Sequence, residues 1–385
     1  MNGDFDGNDR DHVDRIIVSA EDPLGHGLRK IACATTFGNR PECLLRPRSR
    51  RLHQLERICV PKLEFHLDLG ESYHDPLEFV DAAIEAESLG FRTAWFGDHF
   101  VPWGHSGAKS AFVWPVLGVA LEKTKEMRMG PLVTTPIGGR YHPALIAQAS
   151  ATLDNMYPGR FLLGVGSGEA VNELPFMSGR WPPWRERMDR LIEGLSLIRE
   201  LWSSAEPFSH EGKYFPSDFY YLYTKPKTRI PIYFSAVGKR AAYMAGKFGD
   251  HLATLTRETS GRKLREEVIP AYRNGCKDAK RDEGQIVLSV TFTTKQPQEL
   301  WESRQSFGYA IKDSWSIDTP VEVDRCADTL TPADLKNIVH FCKGWNDVVS
   351  VMEDYRKMGA GAIVLGTGLD TALMKQYADN LLAVF

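Results

Sequence analysis

The sequence predicts an α/β protein, a (β/α)8 TIM barrel carrying insertions. Three observations point there. From Lys62 onward, short apolar runs alternate eight times with helical stretches. No GxGxxG run follows the first strand, which argues against the alternative, a doubly wound open sheet. Polar residues gather just after several strands, where such barrels place their chemistry.

The elements follow in order. Leu63–Leu69 is the first strand. Asp75 then caps a helix, with Pro76 at its first position, Glu78 three residues after the cap and Gly90 as the stop. Thr93–Gly97 is the second strand, and a helix follows near Phe112–Glu122. Met127–Thr134 is the third strand, and Pro143–Met156 is helical. Phe161–Gly166 is the short, apolar fourth strand. Glu186–Trp202 carries an amphipathic stripe of Met188, Leu191, Ile192, Leu195, Ile198, Leu201 and Trp202. The aromatic segment Pro207–Tyr223 reads as a hairpin insertion. Pro231–Ala236 and helix Lys239–Phe248 form the fifth unit, and His251–Leu255 and helix Arg262–Ala279 the sixth. Gln285–Thr293 is the seventh strand. A long insertion, Pro297–Lys343, precedes helix Asp347–Met358. Ala362–Gly366 is the eighth strand, and a helix from Ala372 closes the chain.

Residues 61–385 thus read as one barrel domain. Residues 1–60 show no sustained period and carry a basic run, Arg46–Arg51. They are expected to be a disordered or non-native extension. Translation starting at Val60 would leave them out, and the intact mass of the native protein decides the point.

Composition excludes several functions. The net charge of -3 over 385 residues gives no general attraction to nucleic acid or anionic membrane. No uninterrupted apolar run approaches the roughly 18–20 residues that span a bilayer. The six cysteines include no CxxC pair, so reduced thiols and a cytoplasmic location are expected. There is no HExxH and no GxSxG, so neither a metal site nor a hydrolytic serine is signalled.

Four stretches carry candidate chemistry. Asp98-His99-Phe100-Val101-Pro102-Trp103 ends the second strand. An imidazole there can trade protons near neutral pH, a carboxylate can orient it, and Trp103 can wall it off. The bland alternative is a capping Asp and a packing His. Gly164–Glu173 follows the fourth strand. Its alternating glycines let a ligand approach the backbone, with Glu169 and Asn172 projecting beyond. The alternative is a glycine-rich turn with a Glu favourable to a helix start. Thr134 and Thr135 end the third strand. Ser235–Arg240 ends the fifth, where helix N–H groups with Lys239 and Arg240 suit an anion such as phosphate. His66 either reaches the barrel interior or simply packs.

Together these motifs resemble the luciferase-like barrel superfamily, and within it the deazaflavin-dependent dehydrogenases. The matching runs are Asp98-His99-Phe100 with Pro102-Trp103, Thr135-Pro136 with Arg140-Tyr141, and Pro143–Ala149. Tyr157–Arg160, Gly164–Glu169, Asn172-Glu173, Leu222–Pro226 and Gly249–Leu252 match as well. The resemblance covers residues 62–385. It implies the hydride carrier coenzyme F420 and a non-prolyl cis peptide at Leu132-Val133 behind the deazaflavin ring. It implies cofactor contacts from Asp98, Leu132, Val133, Thr135, Asn172, Val237 and Gly238. Val237 departs from the family, which often has a second glycine there. His99 is implied as general base, Glu169 as the acid near the ring, and Trp103 as a wall that steadies the substrate. Glu71 is implied as a substrate-side acid.

Two branches of the family compete. One oxidises secondary alcohols, the other a sugar phosphate, glucose 6-phosphate. The second holds phosphate with late cations, whose positions fall near Ser314 and Ile338, neither cationic; Lys312 or Lys336 could substitute. A secondary alcohol is therefore the expected substrate. The alternatives are glucose 6-phosphate, a methylene-tetrahydromethanopterin reductase, a flavin-dependent monooxygenase, and a cofactor binder without catalysis. The small-molecule substrate is the expected partner, together with a second copy of the chain in a homodimer.

Overall fold

The computed structural model describes residues 62–385 apart from 71, 107, 257 and 303–315. The readings placed on residues 1–60, Glu71, Lys312 and Ser314 lie outside the described residues.

The barrel strands are β1 (Glu64–Asp68), β2 (Thr93–Phe96), β3 (Arg128–Pro131), β4 (Leu163–Val165), β7 (Ile232–Ser235), β8 (His251–Leu255), β9 (Ile286–Ser289) and β12 (Ala362–Gly366). All pair in parallel, in the order β3-β2-β1-β12-β9-β8-β7-β4. Bridges Met129↔Phe161 and Thr134↔Val165 join β3 to β4 and close the barrel, which excludes the open sheet. Two glycines make this seam possible. A Cβ on Gly130 would stand 1.9 Å from the Leu162 carbonyl oxygen, and one on Gly164 would stand 2.2 Å from that of Pro131.

Both faces of the strands are covered, so their sequences read as short continuous apolar runs. Trp95, Tyr233, Val287 and Val364 form one buried cluster. Their strand neighbours Phe96, Phe234, Leu288 and Leu365 belong to a second, which packs against the helices. The outer layer contains α1 (Pro76–Ser88), α2 (Val113–Lys123), α3 (Pro143–Met156), the short α4 (Ala170–Glu173), α5 (Trp184–Ser203), α6 (Lys239–Phe248) and α7 (Ile269–Asp278). It is completed by α11 (Trp345–Met358) and α12 (Thr371–Tyr377). At the start of α1 the Asp75 N–H donates to the Glu78 carboxylate at 2.6 Å, as the capping sequence requires. The hairpin insertion is β5 (Phe208–His210) paired antiparallel with β6 (Ser217–Tyr220).

Three expectations are corrected. The third strand does not run regularly to Thr134: β3 stops at Pro131 and a cis peptide links Leu132 to Val133. The seventh strand is split. β9 ends at Ser289, and β10 (Phe292–Thr293) leaves the barrel to pair with β11 (His340–Phe341). Apolar content runs through both pieces, so periodicity could not separate them. The helix expected over Arg262–Ala279 opens with a π turn, Leu264–Val268, before α7. Pro270 has no N–H to continue the regular ladder there. The late insertion holds α8 (Pro297–Glu302), α9 (Pro320–Ala327) and α10 (Pro332–Leu335).

Candidate active site

β2 lies between β1 and β3, and this pairing delivers Gly97, Asp98 and His99 to the C-terminal mouth of the barrel. Asp98 is buried and faces the loop after β3. Its Oδ1 accepts from Arg140 Nη2 at 2.7 Å and from the Tyr141 hydroxyl at 2.8 Å. Its carbonyl accepts from Arg140 Nη1 at 2.9 Å. Arg140 also lies over the Tyr141 ring, 4.8 Å from its centroid. Burial pushes the Asp98 carboxyl upward in pKa, and the Arg140 guanidinium opposes that shift. Asp98 therefore anchors the backbone from which His99 projects.

From the other side of the seam, Gly168 at φ +78° turns the chain after β4, and Glu169 caps α4. This brings Glu169 Oε2 to 3.8 Å from His99 Nε2. That is ion-pair distance and too long for a direct hydrogen bond. The Trp103 ring lies 5.6 Å from the imidazole, tilted by 49°. Asn172 ties the two loops together: its Oδ1 accepts the N–H groups of Phe100 at 2.9 Å and Val101 at 3.2 Å. Burial holds the His99 pKa below its ordinary value, with the Glu169 and Asp98 carboxylates opposing. The lowered pKa favours the uncharged imidazole, the form that can accept a proton.

His99, Glu169 and Trp103, all named from sequence, thus share one cluster. The residues named for the cofactor are arranged around the mouth. Leu132 and Val133 are half-buried on either side of the cis peptide. Behind Val133 is Gly166, where a Cβ would meet its Cγ2 at 2.7 Å. Val237 and Gly238 follow β7, with Gly238 at the N-cap of α6. A Cβ on Gly70, Gly238 or Gly366, each just past or at the end of a barrel strand, would meet no atom within 4 Å, so the backbone is open to approach at these points. The Thr135 hydroxyl donates to Glu173 Oε1 at 2.5 Å.

Glu173 was legible only as part of a motif. It is 2% exposed, and its Oε2 also receives the Arg140 N–H at 3.4 Å. Burial pushes its pKa up to about 7, against the bonds from Thr135 and Arg140. Between the ordinary 4.5 and about 7, an unfolded chain loses a proton that the folded one keeps. Stability therefore falls as pH rises through that window, by about 3 kcal/mol at most. Glu173→Gln is expected to flatten this slope in unfolding midpoints measured from pH 4.5 to 7; an unchanged slope would refute the assignment. Arg187 was also missed. It stacks 4.2 Å over Trp181 and donates to the Ser167 carbonyl at 3.2 Å and that of Pro182 at 2.7 Å, steadying the glycine loop. Its only signal was an arginine beside the apolar stripe of α5. His66 reaches the interior: it is 1% exposed, and its Nδ1 accepts from Trp95 Nε1 at 3.1 Å.

Residues 62–317 match the luciferase-like monooxygenase family. The chain belongs to this family. Among its relatives is the F420-dependent glucose-6-phosphate dehydrogenase of Nakamurella multipartita, 36% identical over 279 residues, covering 70% of this chain and 80% of that one. The corresponding enzyme of Mycolicibacterium smegmatis is 34% identical over 303 residues, covering 75% and 87%. A solved family structure, an F420-dependent secondary alcohol dehydrogenase in complex with an F420-acetone adduct, superposes with TM-score 0.78 at 31% identity, covering 84% of this chain and 99% of that one. The coenzyme F420 dependent tetrahydromethanopterin reductase of Methanopyrus kandleri shares the fold, with TM-score 0.67 at 17% identity.

Proposed function

We propose that this protein is a coenzyme F420-dependent dehydrogenase that oxidises a secondary alcohol. The observation carrying this reading is the His99 imidazole held 3.8 Å from the Glu169 carboxylate and 5.6 Å from the Trp103 ring. The site fits the coenzyme. The open glycine positions leave the backbone open to its approach, and the exposed Lys239 and Arg240 at the start of α6 suit its anionic tail. Leu132, Val133 and Gly238 would hold it, and when bound it supplies a carbon that takes up hydride. His99 accepts the carbinol proton as the C–H bond breaks. Glu169, beside His99, would supply or relay the proton that the reduced cofactor takes up with the hydride. Trp103 excludes water and limits the space for the carbinol substituents. Asp98, Arg140 and Asn172 keep the two reacting loops in register.

The choice of an alcohol rests on two cations near the site that are already committed. Arg140 is paired with Asp98, and Arg187 is bonded to backbone carbonyls. Identity to the glucose-6-phosphate dehydrogenases favours a sugar phosphate instead. The test incubates purified protein and coenzyme F420 with isopropanol or glucose 6-phosphate and follows the visible absorbance of the oxidised cofactor. Reduction with isopropanol is expected. Reduction with glucose 6-phosphate alone would move the assignment to the sugar-phosphate reading.

A further inference from the structure

The late insertion reaches the Trp103 loop through the Asp324 side chain. α9 is anchored by Thr319, whose Oγ1 accepts the Glu322 N–H at 3.3 Å, and by Val323, which is 3% exposed. The next residue, Asp324, turns its carboxylate to the loop. Oδ2 accepts the N–H of His105 at 3.0 Å, the N–H of Ser106 at 3.2 Å and the Ser106 hydroxyl at 3.4 Å. Trp103 is two residues before the first of these amides. Between them, Gly104 leaves no room: a Cβ there would stand 2.6 Å from Asp324 Oδ1 and 2.6 Å from the Tyr73 hydroxyl.

The two ends of this loop have separate ties. Asn172 holds Phe100 and Val101, and the Ser110 hydroxyl donates to the His99 carbonyl at 3.0 Å. Among the described residues, the amides of His105 and Ser106 have the Asp324 carboxylate as their hydrogen-bond partner. One acceptor oxygen carrying negative charge and gathering two successive N–H groups defines the local backbone path.

We propose that Asp324 is a positioning residue for Trp103. Through it the insertion sets how far the indole stands from His99, and hence how bulky a carbinol the site admits. The effect on substrate size rests on the function proposed above; the positioning of the loop does not.

The test measures hydrogen exchange at the His105 and Ser106 amides, and acrylamide quenching of Trp103. The quenching signal is the difference between each protein and the same protein carrying Trp103→Phe. Asp324→Ala is expected to speed exchange at both amides about ten-fold or more and to raise quenching, with the barrel strands unchanged. Asp324→Asn, which keeps an acceptor oxygen, restores part of the protection. Arg325→Ala breaks the neighbouring pair with Glu322, 2.6 Å within α9, without touching the loop, and is expected to match wild type. Unchanged exchange and quenching in Asp324→Ala overturns the proposal. So does an equal rise in Arg325→Ala, because fraying of α9 would then account for it. In turnover, Asp324→Ala shifts kcat/KM from isopropanol towards cyclohexanol, while an unchanged ratio overturns the size claim. If no alcohol is turned over, the proposed function fails, and exchange and quenching still decide the role of Asp324.

Discussion

Replacing His99 by alanine is expected to lower turnover by about 10²–10⁴-fold, the usual contribution of a positioned general base. Affinity for coenzyme F420 is expected to stay near wild type. The imidazole lies at the end of β2 between Glu169 and Trp103, whereas the open glycine positions and the α6 N-terminus belong to other strands. Alanine therefore removes the proton acceptor and leaves the cradle. Steady-state reduction of the cofactor and a binding titration separate the two effects. Near-normal turnover would take His99 out of the mechanism, and lost binding would make it part of the cradle. The pH profile of the wild type adds a second check. Burial holds the His99 pKa down, so the free base persists to lower pH than for an exposed histidine. The acid limb of kcat/KM is expected below the ordinary histidine value, and it should vanish with His99.

The largest expected loss of stability comes from Arg140→Ala. In the Asp98–Arg140 pair the side chains are 0% and 7% exposed, so removing the guanidinium strands a carboxylate away from water. Breaking a buried pair in this way costs roughly 3–5 kcal/mol. The Tyr141 hydroxyl, 2.8 Å from Asp98, compensates only in part. Chemical denaturation at neutral pH measures the loss, and a change below about 1 kcal/mol would show that the pair does not hold the loop. The deficit is expected to shrink as pH falls. Without Arg140 the Asp98 pKa rises further, and the protonated acid no longer carries a buried charge.

The parts legible in the sequence were those that local rules control. The Asp75-Pro76-Glu78 start of α1 and the apolar stripe of α5 depend on neighbours within a few residues. Strands buried on both faces announce themselves by continuous apolar runs. His99 and Glu169 stood out as polar residues directly after such strands. The Leu132-Val133 cis peptide came from family resemblance, since no local signal specifies it.

The contacts that were not legible join residues far apart in the chain. Asp98 meets Arg140 across 42 residues, Thr135 meets Glu173 across 38, and Asp324 meets His105 across 219. The break between β9 and β10 was hidden because Phe292 stays apolar while pairing with β11 outside the barrel.

By itself, then, the sequence determined the alternation of strand and helix and which loops carry polar chemistry. Spacing, capping and burial pattern are properties of the chain read in order. The tertiary structure decided how those loops meet. Closure of β3 on β4 brings Thr134 beside Val165 and sets the two loops that hold His99 and Glu169 across one mouth. Burial there, which no linear pattern encodes, lowers the pKa of His99 and raises that of Glu173.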